Sequence, residues 1–394
     1  MQNDKHFFPQ KYFLVRSLLR HLIVTVLAFL LVAVFAFSAY QMPFMSPIAE
    51  TIKDYKMTDV YYHILQDTEE ADTSDVVTIV DMSDLYTRRE LAAALEAIEQ
   101  CQPRVIGIDV VFEGLKEDSV GDEMMAEVAL THKNLVFSYK LLDYENDSIG
   151  HAITVHSFFA QDEGAVTEGY TNMPRNLYGG IKRQLSLGEK AEGKLVPSFI
   201  TQTVAMYEGH KVGEVTPDVV NINFIPRKYR ILSPDSIALH PEYIKDKLVL
   251  FGAIKEENDR HYTPLGKMAG VELLAYAVET VLRKNEIREV NRWATVAISF
   301  LMVLLTQMML SIYAYWAQHR RITFFRVVLS ASFTKGYMMF FFISFWMWMA
   351  FVLFYTYDVT LNMGLALSAM AFLILARCIY DEVIVVLYDK KNGK

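Results

Sequence analysis

Four uncharged apolar runs constrain this chain more than any other feature. They cover residues 22–40, 294–317, 336–357 and 359–376 of the 394. Each is about as long as the ~20 helical residues that cross a ~30 Å hydrocarbon layer. The runs concentrate a hydrophobic content of 53%, high for a soluble protein of this length. Four transmembrane helices are therefore expected, one N-terminal and three C-terminal. Between the first two lies room for one large folded domain, residues 41–293, ample for a core of its own. The first run is too long for a cleaved signal peptide, and no small-x-small site follows it. It reads as an uncleaved anchor.

Basic residues set the orientation. Lys5, Lys11, Arg16 and Arg20 precede the first run, within residues 1–21. Arg320, Arg321, Arg326 and Lys335 fill the loop 318–335. Arg377, Lys390, Lys391 and Lys394 follow the last run, in the tail 377–394. With four alternating helices these regions share one side. Both termini are thus expected in the cytoplasm, and residues 41–293 outside it. Cys101 and Cys378 then fall on opposite sides and cannot pair.

Charge agrees with that division. Residues 41–293 hold 26 Lys and Arg against 41 Asp and Glu, a net of −15, and the remainder carries +7. An acidic external domain excludes nucleic acid as a partner and argues against docking on anionic lipid. The apolar runs contain no Asp, Glu, Lys or Arg, whereas pumps and ion-coupled transporters need ionisable groups at depth. The bilayer itself is the one partner that composition implies.

Within the domain, the spacing predicts a helix over 46–66, then alternating strands and helices. Strands are expected at 76–81, 105–112, 135–142, 219–224 and 247–252. Helices are expected at 89–100, 122–130, 197–207 and 270–284. Continuous apolar runs such as VVTIV and KLVLF suit strands buried on both faces. This is an α/β domain with a mostly parallel sheet. Ligands in such sheets sit beyond the carboxyl ends of the strands. The helix 270–284 leads directly toward the second run, a route for a shift in the domain to reach the membrane.

Candidate chemistry gathers at those strand ends. Asp81 and Asp84 close the first strand, and Asp109 lies in the second. Asp259 and Thr263 follow LVLFGA in a loop. On adjacent strands, Asp81 and Asp109 would pair to hold a polar ligand or a divalent cation. Equally, these side chains can cap helices and accept loop N–H groups. His261 has no second ligand at metal spacing. No G-x-S-x-G, H-E-x-x-H or phosphate-loop motif is present, and Gly179-Gly180 is too short to serve as one. No catalytic residue, metal or cofactor is expected. Lys140 and Arg175 are the candidate anion contacts.

The order of these pieces resembles one known family. One apolar helix, VVTIVDMSD, PRVIGIDVVF, SPDSIALHPEYIKDKLVLFGA, HYTPLGKMAGVELLAYAVETVL and three further apolar helices follow each other. This is similar to the second family of CHASE-type extracellular sensory domains, over about residues 20 to 380. In that family the domain precedes three transmembrane helices and usually a cytoplasmic kinase or cyclase. The resemblance implies a bacterial inner-membrane sensor with its domain in the periplasm, and it places Asp259 and Thr263 in a recurring D…TP segment. Two departures stand out. Only 18 residues follow the last apolar run, so a separate signalling protein is expected to carry the response. The stretch IKEENDRH after LFGA is bulky and charged where a Gly-rich turn is expected. The expected function is therefore a sensor of a small molecule or an envelope protein, and homodimerisation through Ser311, Ala314 and Ala317 fits such a layout. The rival expectation is a structural or accessory subunit of an envelope complex.

Overall fold

The computed structural model describes residues 13–41, 56–68, 71–160, 164–174, 180–319 and 321–391. Arg175, Gly179, several of the basic flanking residues (Lys5, Lys11, Arg320, Lys394) and the first half of the expected helix 46–66 lie outside them. The chain forms two units, one of residues 58–287 and one of residues 1–57 with 288–394.

The first unit is built on one mixed sheet. It begins with α2 (Met57–Thr68) and β1 (Asp72–Asp81), followed by α3 (Arg88–Gln100), β2 (Val105–Ile108), α4 (Ser119–Thr131) and β3 (Leu135–Asn146). Five short strands follow: β4 (Gly150–Val155), β5 (Thr167–Tyr170), β6 (Gln184–Ser186), β7 (Gly188–Ala191) and β8 (Lys194–Pro197). Then come α5 (Phe199–Glu208), β9 (Val219–Asn221), β10 (Arg227–Leu232) and β11 (Leu248–Gly252). The unit closes with the hairpin β12 (Arg260–Thr263) and β13 (Gly266–Ala269) and with α6 (Gly270–Arg283).

The sheet runs β10-β1-β11-β2-β3-β4-β7-β8, with β5 also paired to β3. From β10 to β3 every pairing is parallel. Strand β11 enters between β1 and β2, placing Val249 beside Thr78 and Ile106. So β1 and β2 are not neighbours, contrary to the sequence expectation. The reason is burial. All five residues of β11 are buried, and an apolar strand of that kind is most stable where both edges are paired and both faces covered.

Helices α3 and α4 cover one face. Leu95, Ile98, Met125 and Val128 pack there with Val80, Ile106, Ile108, Phe137 and Phe251. Helices α5 and α6 lie on the other, where Phe199 reaches the backbone of Gly107. A buried ion pair between Arg88 and Asp122 joins α3 to α4, and the Arg88 guanidinium lies 4.6 Å from the centre of the Phe158 ring. Helix α3 starts in a reciprocal cap: Glu90 N–H donates to Thr87 Oγ1 (3.2 Å) and Thr87 N–H to Glu90 Oε2 (2.9 Å).

The expected strand 105–112 ends early, at Ile108. Its continuation folds over the face, where Phe112 joins the core and its N–H donates to Ser157 Oγ (3.1 Å). Helix α6 is likewise not continuous with the membrane helix. It stops at Lys284, held in a left-handed conformation (φ 54°). Beyond it, Asn223 Nδ2 donates to Asn285 O and Asn221 Nδ2 to Ile287 O, both at 2.9 Å.

The second unit holds four helices long and apolar enough to cross a membrane. The apolar spans are Ser17–Ala39, Arg292–Gln318, Gly336–Tyr357 and Gly364–Ile384. They lie in α1 (Phe13–Tyr40), α7 (Arg292–Gln318), α9 (Ser332–Tyr357) and α10 (Gly364–Lys391), with the short α8 (Thr323–Ser330) between α7 and α9. The last helix begins later than residue 359. Val359–Thr360 instead form β15, parallel to β14 (Arg288–Glu289), and Asn362 Oδ1 accepts from Gly364 N–H to start α10 (3.0 Å).

These helices extend past the uncharged runs, so charged residues enter their ends. Arg20 of α1 pairs with Asp381 of α10 at 2.7 Å. Polar bonds join the helices at depth: Thr25 Oγ1 donates to Gln307 Oε1 (3.2 Å), and Trp346 Nε1 to Thr306 Oγ1 (2.8 Å). The small-residue stripe proposed for a dimer is engaged within the chain. His21 Nε2 bonds Ser311 Oγ at 2.8 Å, and Ala317 is fully buried. Both cysteines are free.

The central position of β11 makes its largest side chain a sensitive test. Phe251→Ala is expected to cost about 3–5 kcal/mol of stability, read as a fall in the denaturation midpoint of the detergent-solubilised protein. A loss under 1 kcal/mol would mean that the site does not hold the sheet together.

Candidate functional site

The carboxyl ends of β1, β11 and β2 lie side by side, with β11 in the middle. Asp81 is level with Gly252, and Asp109 follows Ile108, whose partner is Phe251. One strand thus separates Asp81 from Asp109, a gap of about 10 Å at ordinary strand spacing. The expected Asp81–Asp109 pair is not formed.

Asp81 works locally instead. Its Oδ1 accepts the N–H groups of Ser83 (3.0 Å) and Ile254 (3.2 Å), together with the Ser83 hydroxyl. This ties the loop after β1 to the loop after β11. Asp84 is exposed and pairs with Lys255 at 2.5 Å. Thr263 is buried in the β12–β13 hairpin, where its hydroxyl donates to Gly266 O (2.8 Å) and accepts from Leu265 N–H (3.2 Å). These three residues act on loops and on the turn.

Asp109 is different. Its backbone N–H donates to Phe251 O (2.9 Å), but no hydrogen bond to its half-buried carboxylate is present among the described residues. Burial is the main cause that lifts it from 3.8 to about 7, and the nearby Asp259 charge raises it further. His261 and Lys140 act in the opposite direction. His261 Nε2 lies 3.6 Å from Asp259 Oδ1. Lys140, on β3, also faces Glu113 at 3.9 Å.

Two glycines make room for this cluster. A Cβ on Gly252 would lie 2.8 Å from Val271 Cβ and 3.4 Å from Asp109 Cβ. A Cβ on Gly270, the first residue of α6, would lie 2.4 Å from Asp259 Oδ2. The absence of side chains there lets Asp259 sit against the start of α6 and lets α6 approach β11.

The result is a carboxyl group that titrates near neutrality, next to a second carboxylate, an imidazole and an ammonium group. Perturbed groups of this kind mark functional sites more often than inert surface. The cluster can take up a proton or accept donors from a polar ligand. Among the described residues no group of three or more His, Cys, Asp or Glu is disposed to hold a metal ion. His261 and Lys140 complete the site, although neither carries a spacing signal. Only the fold brings β3 and the 259–261 loop to the end of β2.

The raised Asp109 value sets a sign for stability against pH. Folding favours the protonated form, so this contribution is complete below about pH 4 and is lost as pH rises through about 7. In Asp109→Asn that decline is expected to disappear, leaving a flatter melting-temperature profile over this window. A profile as steep as that of the unaltered protein would show that Asp109 is not the titrating group.

No curated protein and no solved structure matches the chain. The family model of the CHASE2 domain matches residues 27–312. That domain is a sensory one rather than a catalytic one, and its match extends over the whole sheet domain and into α1 and α7 on either side. This chain belongs to the CHASE2 domain family.

Proposed function

We propose that the chain is a non-enzymatic sensor of the bacterial inner membrane, with its α/β domain in the periplasm and both termini in the cytoplasm. The observation that carries this reading is the carboxyl of Asp109, which titrates near neutrality, has no hydrogen bond among the described residues and is held beside Asp259 and His261 in a sensory-domain fold. The stimulus is a small polar molecule or the surface of an envelope protein, recognised at that cluster. The basic residues flanking the membrane spans support the orientation.

The route from site to membrane runs along α6. Its first residue lies against Asp259, and its last turn leads into residues 285–287. The next residues join the membrane unit: Arg288 N–H donates to Asp358 O (2.8 Å) and Val290 N–H to Thr360 O (3.1 Å). A stimulus acts through this route only if it binds two arrangements of the site with different affinity. The response is carried by a separate signalling protein.

A mild-detergent pull-down of the full chain, with mass spectrometry of what it retains, tests the reading. A kinase, cyclase or regulator in fixed ratio is the expected result, with the ratio changed in Asp109→Ala or Asp259→Ala. Envelope structural proteins alone, held equally by wild type and both variants, would make the chain a docking subunit instead.

A further inference from the structure

A second polar cleft opens at the amino end of β10, at the opposite end of the sheet from Asp109. It is lined among others by Arg227, Tyr229, Tyr276, Glu279 and Asn285. Its volume is about 210 Å³ including the open mouth, and its enclosed end has room for one water-sized group.

Glu279 is its centre. The side chain is almost wholly buried. Its Oε1 accepts from Arg227 Nη1 (2.9 Å) and Arg283 Nε (2.6 Å), and Arg283 also pairs with Asp75 (2.6 Å). These four charges alternate and cancel. Among the described residues, Glu279 Oε2 and Asn285 Oδ1 are nonetheless buried without a bonded donor, and the buried Tyr229 hydroxyl, which faces Glu279, has no partner at full hydrogen-bond geometry. Three orphaned oxygens thus belong to residues around a single small cleft. Buried acceptors left unmatched cost stability, so such a group calls for a donor.

The donor count selects the ligand. A water molecule brings two O–H groups, and a primary ammonium brings three N–H groups and a positive charge. The Tyr229 and Tyr276 rings meet edge to face at 5.2 Å beside these oxygens, an aromatic wall of the kind that favours cations. The neutral balance of the Asp75–Arg283–Glu279–Arg227 chain leaves room for one added positive charge. We infer that this cleft binds a small molecule through its primary ammonium group, held by Glu279 Oε2, Asn285 Oδ1 and the Tyr229 hydroxyl.

The position matters for this protein. Asn285 stands between α6 and the residues that lead into the membrane unit, whereas Tyr229 belongs to the edge strand. An ammonium group bound there ties that segment to the sheet. The site does not depend on the Asp109 cluster.

Thermal melting of the full-length protein in mild detergent tests it, with methylammonium chloride as probe and tetramethylammonium chloride at equal concentration as control. A saturable rise in melting temperature with methylammonium alone is expected. Tyr229→Phe should weaken that response about five-fold, the loss of one hydrogen bond. Asn285→Asp, which adds a carboxylate, should strengthen it, and Asp109→Asn should leave it unchanged. Equal responses to the two cations, or a methylammonium response untouched by Tyr229→Phe and Asn285→Asp, would make the cleft a water-filled defect and overturn the inference. Loss of the response in Asp109→Asn would overturn its independence from the strand-end site.

Discussion

Strand β11 is the constraint on which the rest of the domain depends. Its five buried residues fill the gap between β1 and β2 and pair with both. Because it arrives late in the chain, the sheet cannot be complete until about residue 252 has been made. Its last residue, Gly252, has no side chain, so Val271 of α6 and Asp109 both come close to it. The packing of the core and the geometry of the candidate site therefore share one cause. The same strand also separates Asp81 from Asp109 and gives them different work: Asp81 braces loops through backbone N–H groups, and the Asp109 carboxylate accepts no hydrogen bond among the described residues.

The two ends of the sheet carry two kinds of polar strain. At the carboxyl ends, a carboxyl group is kept near neutrality by burial and by a like charge. At the amino end of β10, buried oxygens around Glu279 are left unmatched in a small cleft. Other buried polar groups are matched, among them the Arg88–Asp122 pair and the Thr25–Gln307 bond.

Much of the architecture was legible in the sequence, for physical reasons. Uncharged runs of about twenty residues have few alternatives to membrane helices, and each of the four is helical over most of its length. Strands buried on both faces announce themselves as unbroken apolar segments, as β1, β2 and β11 do. The neighbour relation of β1 and β2 was not legible, because strand order is decided by which apolar segment gains most from the centre of the sheet. The breaks after Ile108 and Arg283 were also hidden. The first depends on Phe112 reaching a core built partly by β3, and the second on a left-handed Lys284 that no glycine signals. At the site, Asp109 could be picked out as an acid of the second strand and Asp259 as one of the loop after LVLFGA. The contributions of Lys140 and His261 come only from tertiary placement, and the orphaned oxygens of Glu279, Tyr229 and Asn285 from a cleft between distant segments.

The central claim is that an event at the strand-end cluster alters the segment that leaves the domain. That segment is held by bonds from Asn221 and Asn223 to residues 285–287, and the residues after it by bonds to Asp358 and Thr360. Amide hydrogen exchange of residues 285–290 in the full-length protein, corrected for the intrinsic pH effect and compared below and above the Asp109 titration near about 7, reads this directly. The account predicts a change in protection between the two conditions that is absent in Asp109→Asn. Protection that is the same on both sides of the titration, or that changes equally in the variant, would contradict it.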